Sequence, residues 1–247
     1  MARVKILLPA HNPALNDYGG CGNCNTSLIQ SKGKWIIVDP GMWPVGMRGY
    51  LHYVLRKEGL KPEDIDIVVN THLHFDHSDN NIFFRGKPLY LHKTECDQPA
   101  ASMIQDLWPD GLYSPDNYTI PVDTAEHNEF LVGALDLHKI SGIFQLTKDV
   151  KLIETPGHTP GSISVIIETA QGLVAVIGDL AIRRQDYIER RLPHYVRDME
   201  AILESHEKIR CLNPSVVVPG HDLPVWDLCK FPIPLKNFEL TKWFPEY

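Results

Sequence analysis

The chain has 247 residues, 43% of them hydrophobic and 22% charged, with a formal net charge of -7. That length and balance suit one soluble domain with a sizeable core, and the acidic balance argues against nucleic acid as a partner. No apolar run approaches the roughly 20 residues that span a bilayer, the N-terminal run lacks the pattern of a signal peptide, and five cysteines show no disulfide-framework spacing, so a cytoplasmic protein without membrane association is expected.

Residues 4–8 read as a first strand. The polar, turn-rich stretch 11–25 holds Cys21 and Cys24, which read as two small thiols in a loop because no second pair lies nearby. Residues 26–30 and 35–39, joined by Ser31-Lys32-Gly33-Lys34, form a β-hairpin pattern. Asp39-Pro40-Gly41 ends it in a turn, from which Asp39 could support a metal-binding loop. Residues 42–47, including Trp43, are apolar for a loop and could line a pocket. Leu51, Val54 and Leu55 recur at helical spacing within 48–58, and Gly59 is a stop signal.

Residues 65–70 are a buried-strand run, 88–92 a short strand and 94–103 a helix. His92 stands alone and reads as structural. Residues 106–128, rich in Pro, Gly, Asp and aromatics, read as a long connection. Further strands are expected at 150–154, 162–168, 173–177 and 216–219. Apolar residues at helical spacing run from Leu192 to Ile209, with Pro193 in the first turn. His206 lies on that stripe and reads as a core histidine. The tail 224–247, rich in Pro, Trp and Phe, packs over the core or serves as the arm of a homodimer.

Four of these strands end in potential metal ligands. The run 65–70 delivers His72, His74, Asp76 and His77; the later three deliver His158, Asp179 and His221. Neutral imidazole is the commonest protein ligand for zinc-like ions. Seven donors are too many for one tetrahedral zinc and suit two ions sharing a carboxylate and a water. Imidazole mixed with carboxylate fits zinc, and also manganese, iron or cobalt.

The blocks His72-x-His74-x-Asp76-His77, Gly157-His158-Thr159-Pro160-Gly161, Gly178-Asp179 and Pro219-Gly220-His221 resemble the metallo-β-lactamase-fold hydrolase superfamily. Asp39-Pro40-Gly41 is similar to its early aspartate-glycine block. The resemblance implies an α+β fold, an αββα four-layer sandwich spanning 1–247 as a single domain. It also implies that His72, His74 and His158 hold one divalent ion, that Asp76, His77 and His221 hold a second, and that Asp179 bridges them. The two ions would acidify a shared water and polarise the attacked bond. Asp76 would also pass a proton to the leaving group, so Asp76 and Asp179 are the expected catalytic residues.

Metallo-β-lactamases proper usually carry a cysteine where Asp179 stands, which argues against antibiotic hydrolysis. The flavodiiron branch has an acidic residue in place of His74. The His72-to-His77 block and the chain length most resemble the N-acyl-homoserine-lactone lactonase branch. That branch has a tyrosine three residues after the bridging aspartate, where this chain has Ile182. Tyr187 and Tyr195 are the nearby candidates to replace it. The resemblance therefore implies a metallo-hydrolase acting on a small-molecule lactone or another ester. Phosphodiester and thioester hydrolases of the same superfamily are the alternatives, and a non-catalytic metal-binding protein is the third.

Overall fold

The computed structural model describes residues 1–10, 24–42, 49–96, 136–193 and 196–226. Cys21, Trp43, Tyr195, the 106–128 connection and the tail beyond Trp226 lie outside the described residues.

Two sheets carry the fold. The first contains β1 (Arg3–Leu8), β2 (Thr26–Ser31), β3 (Lys34–Val38), β4 (Ile67–Val69), β5 (Pro88–His92) and β6 (Asp136–Ile140), side by side in that order. Its first three strands pair antiparallel, and β3 to β6 run parallel. Lys32 and Gly33 turn the β2–β3 hairpin with φ of 53° and 78°, the double positive φ that matches the twist of a tight hairpin. The second sheet contains β7 (Ile143–Thr147), β8 (Val150–Glu154), β9 (Ile163–Thr169), β10 (Gly172–Gly178), β11 (Val216–Pro219) and β12 (Val225–Trp226), again in order. Only β10 and β11 pair parallel there. The described helices are α1 (Tyr50–Lys57), α2 (Phe75–Ser78), α3 (Lys93–Cys96), α4 (Arg184–Glu189) and α5 (Met199–Cys211).

The period-2 alternation of strands explains the layers. Ile36, Val38 and Val69 point into a core shared with Leu152, Val165, Val176 and Val218 of the second sheet. Their neighbours Ile37 and Val68 point the other way, onto Leu51 and Leu55 of α1. On the far face, Ile166, Ala175, Ile177 and Val217 pack under Tyr187 of α4 and Ile202 and Ile209 of α5. Strands covered on both faces read as near-continuous apolar runs, and burying each branched side chain contributes about 1.5–3 kcal/mol before entropy is counted. This is the expected αββα sandwich. No helix among the described residues is long and apolar enough to cross a membrane.

One helix start and two strands stand out against the sequence reading. The helix expected from Leu192 begins at Met199, because the Asp198 carboxylate caps it, accepting from the backbone N–H of Glu200 at 3.1 Å and Ala201 at 3.0 Å. A side-chain cap sets a helix start more firmly than apolar spacing does. The pair β6 and β7 was not foreseen; exposed Asp136, Lys139 and Ile143 blur its alternation. It carries the chain from one sheet to the other across Gly142, which has φ of 67°.

Candidate metal centre

The site lies where four strands end. After β4, Thr71 is fixed twice by Asp39: its N–H donates to Oδ1 at 2.7 Å and its hydroxyl to Oδ2 at 2.7 Å. The Thr71 carbonyl accepts from Ile163 N–H at 2.9 Å, tying the loop to the second sheet. Asn70 then donates to the His77 carbonyl at 3.1 Å, so the turn through α2 closes on itself. His72, His74, Asp76 and His77 are all buried.

The first donor group joins His72, His74, His158 and Asp179. His74 Nδ1 lies 2.9 Å from His72 Nε2 and 3.0 Å from His158 Nε2. His158 Nε2 lies 3.4 Å from Asp179 Oδ2. The second group joins Asp76, His77 and His221. There His221 Nε2 lies 3.2 Å from Asp76 Oδ2 and 3.3 Å from His77 Nε2. Asp179 Oδ1 lies 3.3 Å from His77 Nε2 and 3.4 Å from His221 Nε2. Every ligand expected from the sequence is therefore in this cluster, with Asp179 between the halves.

The arrangement fits metal ions better than hydrogen bonds. One imidazole nitrogen, His74 Nδ1, faces two others at once. Asp179 Oδ1 has no hydrogen-bond partner among the described residues, although two imidazoles lie close to it. Donor atoms around a tetrahedral zinc with bonds of roughly 2.0–2.1 Å sit about 3.3 Å apart, near the spacings seen here.

Charge separates the two groups. Burial, aided by the neighbouring imidazoles, pushes His72 well below its ordinary range and His74 down to about 3. Burial also opposes a charged His221, but Asp179 and Asp76 face it and lift it to about 10. For His77, burial is likewise outweighed by surrounding negative groups, which include Asp179, Asp39 and Asp76, and its pKa rises well above the ordinary value. Burial favours a protonated Asp179, yet His221, His77 and His158 hold it well below the usual carboxylate range. Burial likewise favours a protonated Asp76, but attraction from His77 and His221 outweighs it and leaves its pKa lowered.

Supporting residues fix the imidazoles. His77 Nδ1 lies 2.9 Å from Asp39 Oδ2, which directs His77 Nε2 at the site. His72 Nδ1 lies 3.1 Å from the Thr71 hydroxyl, which itself donates to Asp39. Asp39 takes this position with φ of 48°. Asn25 donates to the carbonyls of Pro219 and Asp222, both at 2.7 Å, and so clamps the loop that carries His221. A Cβ on Gly220 would overlap Asp179 Oδ1, so the chain passes this carboxylate only as glycine. Thr71, Asn25 and a buried Glu95 escaped the sequence reading. Nothing local distinguishes a buried Asn or Glu from an exposed one.

Other candidates lie elsewhere. His92 Nε2 pairs with Glu154 Oε1 at 2.8 Å, and His206 sits buried in the helix layer. Cys24 is buried, and burial pushes its thiol up to about 12. Tyr187 packs under Arg210 and beside His206, in the helix layer rather than among the donor groups.

The sequence profile described as "Metallo-beta-lactamase superfamily" matches residues 19–221. The chain belongs to the metallo-β-lactamase superfamily. Within the superfamily it is similar to an N-acyl homoserine lactonase of Bacillus cereus, 29% identical over 198 residues, covering 78% of this chain and 66% of that protein. It is also similar to the mouse metallo-beta-lactamase domain-containing protein 1, 31% identical over 206 residues, covering 82% of this chain and 65% of that protein. The chain thus matches just under two thirds of the length of these relatives. A solved N-acyl homoserine lactone hydrolase, with the product N-hexanoyl-L-homoserine at its catalytic metal centre, superposes with a TM-score of 0.61. That superposition covers 80% of each chain at 23% identity and shows the shared fold.

Proposed function

We propose that this protein is a dinuclear metal-dependent hydrolase acting on a small lactone or another ester, built as one domain over residues 1–247. The observation that carries this reading is Asp179, whose two oxygens face different donor groups at 3.3–3.4 Å. In this reading His72, His74 and His158 hold one ion, Asp76, His77 and His221 hold the other, and Asp179 bridges them. Zinc suits the donors best, and manganese, iron and cobalt also accept them. When bound, such ions supply Lewis acidity and bring the pKa of water toward 7.

The chain's own residues do the rest. Asp39 holds the His77 tautomer, and Thr71 holds that of His72. Asp179, kept ionised by its imidazole neighbours, supplies the shared negative charge. Asp76 Oδ2 faces His221 at 3.2 Å and, held ionised, is the group proposed to take the proton released by the attacking water and hand it to the leaving oxygen. Burial of the cluster strengthens each of these interactions.

Similarity to the lactonase supports the ester class, and Ile182 qualifies the carbonyl chemistry. Its backbone carbonyl accepts from His221 N–H at 2.9 Å, so the residue sits against the centre, yet its side chain has no hydroxyl to donate. The test is a panel run on zinc-loaded protein: a short-chain N-acyl homoserine lactone, an aryl ester, a thioester and a bis-aryl phosphodiester. Ester or lactone turnover that Asp179→Ala abolishes supports the proposal. Turnover of the phosphodiester or thioester alone moves the protein to another branch. Metal binding with no turnover of any substrate leaves a non-catalytic metal protein.

A further inference from the structure

We infer that Glu95 is a positioning residue that sets the affinity of the first donor group, an inference that rests on the two-ion reading above. Glu95 lies in α3, away in sequence from every donor, and is fully buried. Its Oε2 accepts from Leu73 N–H at 3.0 Å, between His72 and His74. Its Oε1 accepts from the Thr159 hydroxyl at 2.6 Å and Gly161 N–H at 3.0 Å, just after His158. One carboxylate thus spans the two loops that deliver all three imidazoles of that group. The approach is close enough that a Cβ on Gly161 would lie 2.7 Å from Oε1 and 2.9 Å from the Glu95 backbone nitrogen. Glycine there is what lets the strap form.

Both oxygens accept and neither donates, the bonding pattern of a carboxylate. No Lys, Arg or His is among its hydrogen-bond or ion-pair partners in the described residues. Burying an anion with neutral partners alone is expensive. A divalent cation held by the imidazoles it spans would supply the compensating positive charge. The second donor group has its own anchor in Asp39, so the strap should act on one ion and not the other.

The test compares the full-length wild type with Glu95→Gln and with Thr159→Val, which removes one strap bond and leaves the carboxylate. Glutamine keeps the volume but turns an amide N–H toward one of the three donors. Zinc affinities are measured by chelator competition, occupancy of each donor group by anomalous diffraction, and folding by thermal denaturation. The expected result is a loss of about 10- to 100-fold in affinity at the His72/His74/His158 group for Glu95→Gln, a smaller loss for Thr159→Val, and an unchanged second group. Equal loss at both groups, or wild-type affinity at both, overturns the inference. Should Glu95→Gln not fold, Thr159→Val decides between the same outcomes. A wild type that binds no zinc would instead refute the two-ion reading itself.

Discussion

The two donor groups look alike as sequence and differ as physics. In the first, burial and mutual repulsion leave His72 and His74 neutral, ready to offer lone pairs. In the second, His77 and His221 are as closely packed, but facing carboxylates raise their pKa above the ordinary imidazole value, an attraction for positive charge that a bound cation would satisfy instead of a proton. Burial alone therefore does not decide the state of an imidazole; what faces it does. The supports differ in parallel. Glu95 straps the first group from behind, while Asp39 touches His77 directly and Asn25 clamps the loop of His221.

The widest break in this contrast is Asp179→Ala, because Asp179 alone belongs to both halves. Metal content should fall and kcat/KM should drop by roughly a thousandfold or more, the scale of several kcal/mol of lost transition-state stabilisation. Full turnover with two retained ions would remove Asp179 from its bridging role.

Asp39→Asn weights one half, because Asp39 meets His77 directly and His72 only through Thr71. Asparagine tolerates the left-handed backbone at φ of 48°, so the change tests the carboxylate and not the turn. Affinity at the Asp76/His77/His221 group should fall about 10- to 100-fold, with the first group much less affected, as chelator competition and site occupancy would show. A uniform loss would mean that Asp39 supports the loop as a whole.

Gly220→Ala probes the shared junction sterically. The added methyl overlaps Asp179 Oδ1, and overpacking of this kind costs about 1–3 kcal/mol, readable as a shift in urea unfolding of the metal-free protein. Unaltered stability would show that Asp179 can swing aside.

The smallest effect concerns His206, a buried histidine shifted by no carboxylate. Burial, with the positive charge of Arg210 and despite a backbone contact at Leu180, lowers His206 to about 4. Above pH 6.5 both folded and unfolded forms are neutral there. As pH falls from about 6.5 to about 4, the unfolded chain takes up a proton that the folded one refuses, so stability is lost, by roughly 2–3 kcal/mol at the lower limit. His206→Leu should remove that part of the pH dependence between pH 4.5 and 7 in urea unfolding. An unchanged slope would contradict the view that burial without a facing carboxylate keeps an imidazole neutral.

Much of this was readable in the chain. The fold follows from apolar runs of strand length that end in turns, and the seven His and Asp residues that cluster together stand at those ends. The helix start at Asp198 and the crossing strands β6 and β7 were hidden, one by a cap within an apolar rhythm and the other by polar residues on half-exposed strands. The supports were hidden for a different reason. Glu95, Thr71 and Asn25 act through burial and long-range contacts, and a sequence records neither. The absence of a tyrosine at Ile182 was visible at once, and its neighbour Tyr187 proves to be committed to the helix layer with Arg210.

The most direct measurement is the rate of ring opening of a short-chain N-acyl homoserine lactone by metal-free protein as zinc is added in known equivalents. Two ions should bind per chain, and activity should become full only as the second equivalent fills. Full activity at one equivalent, or binding that stops at one ion, would contradict a centre in which Asp179 joins two halves.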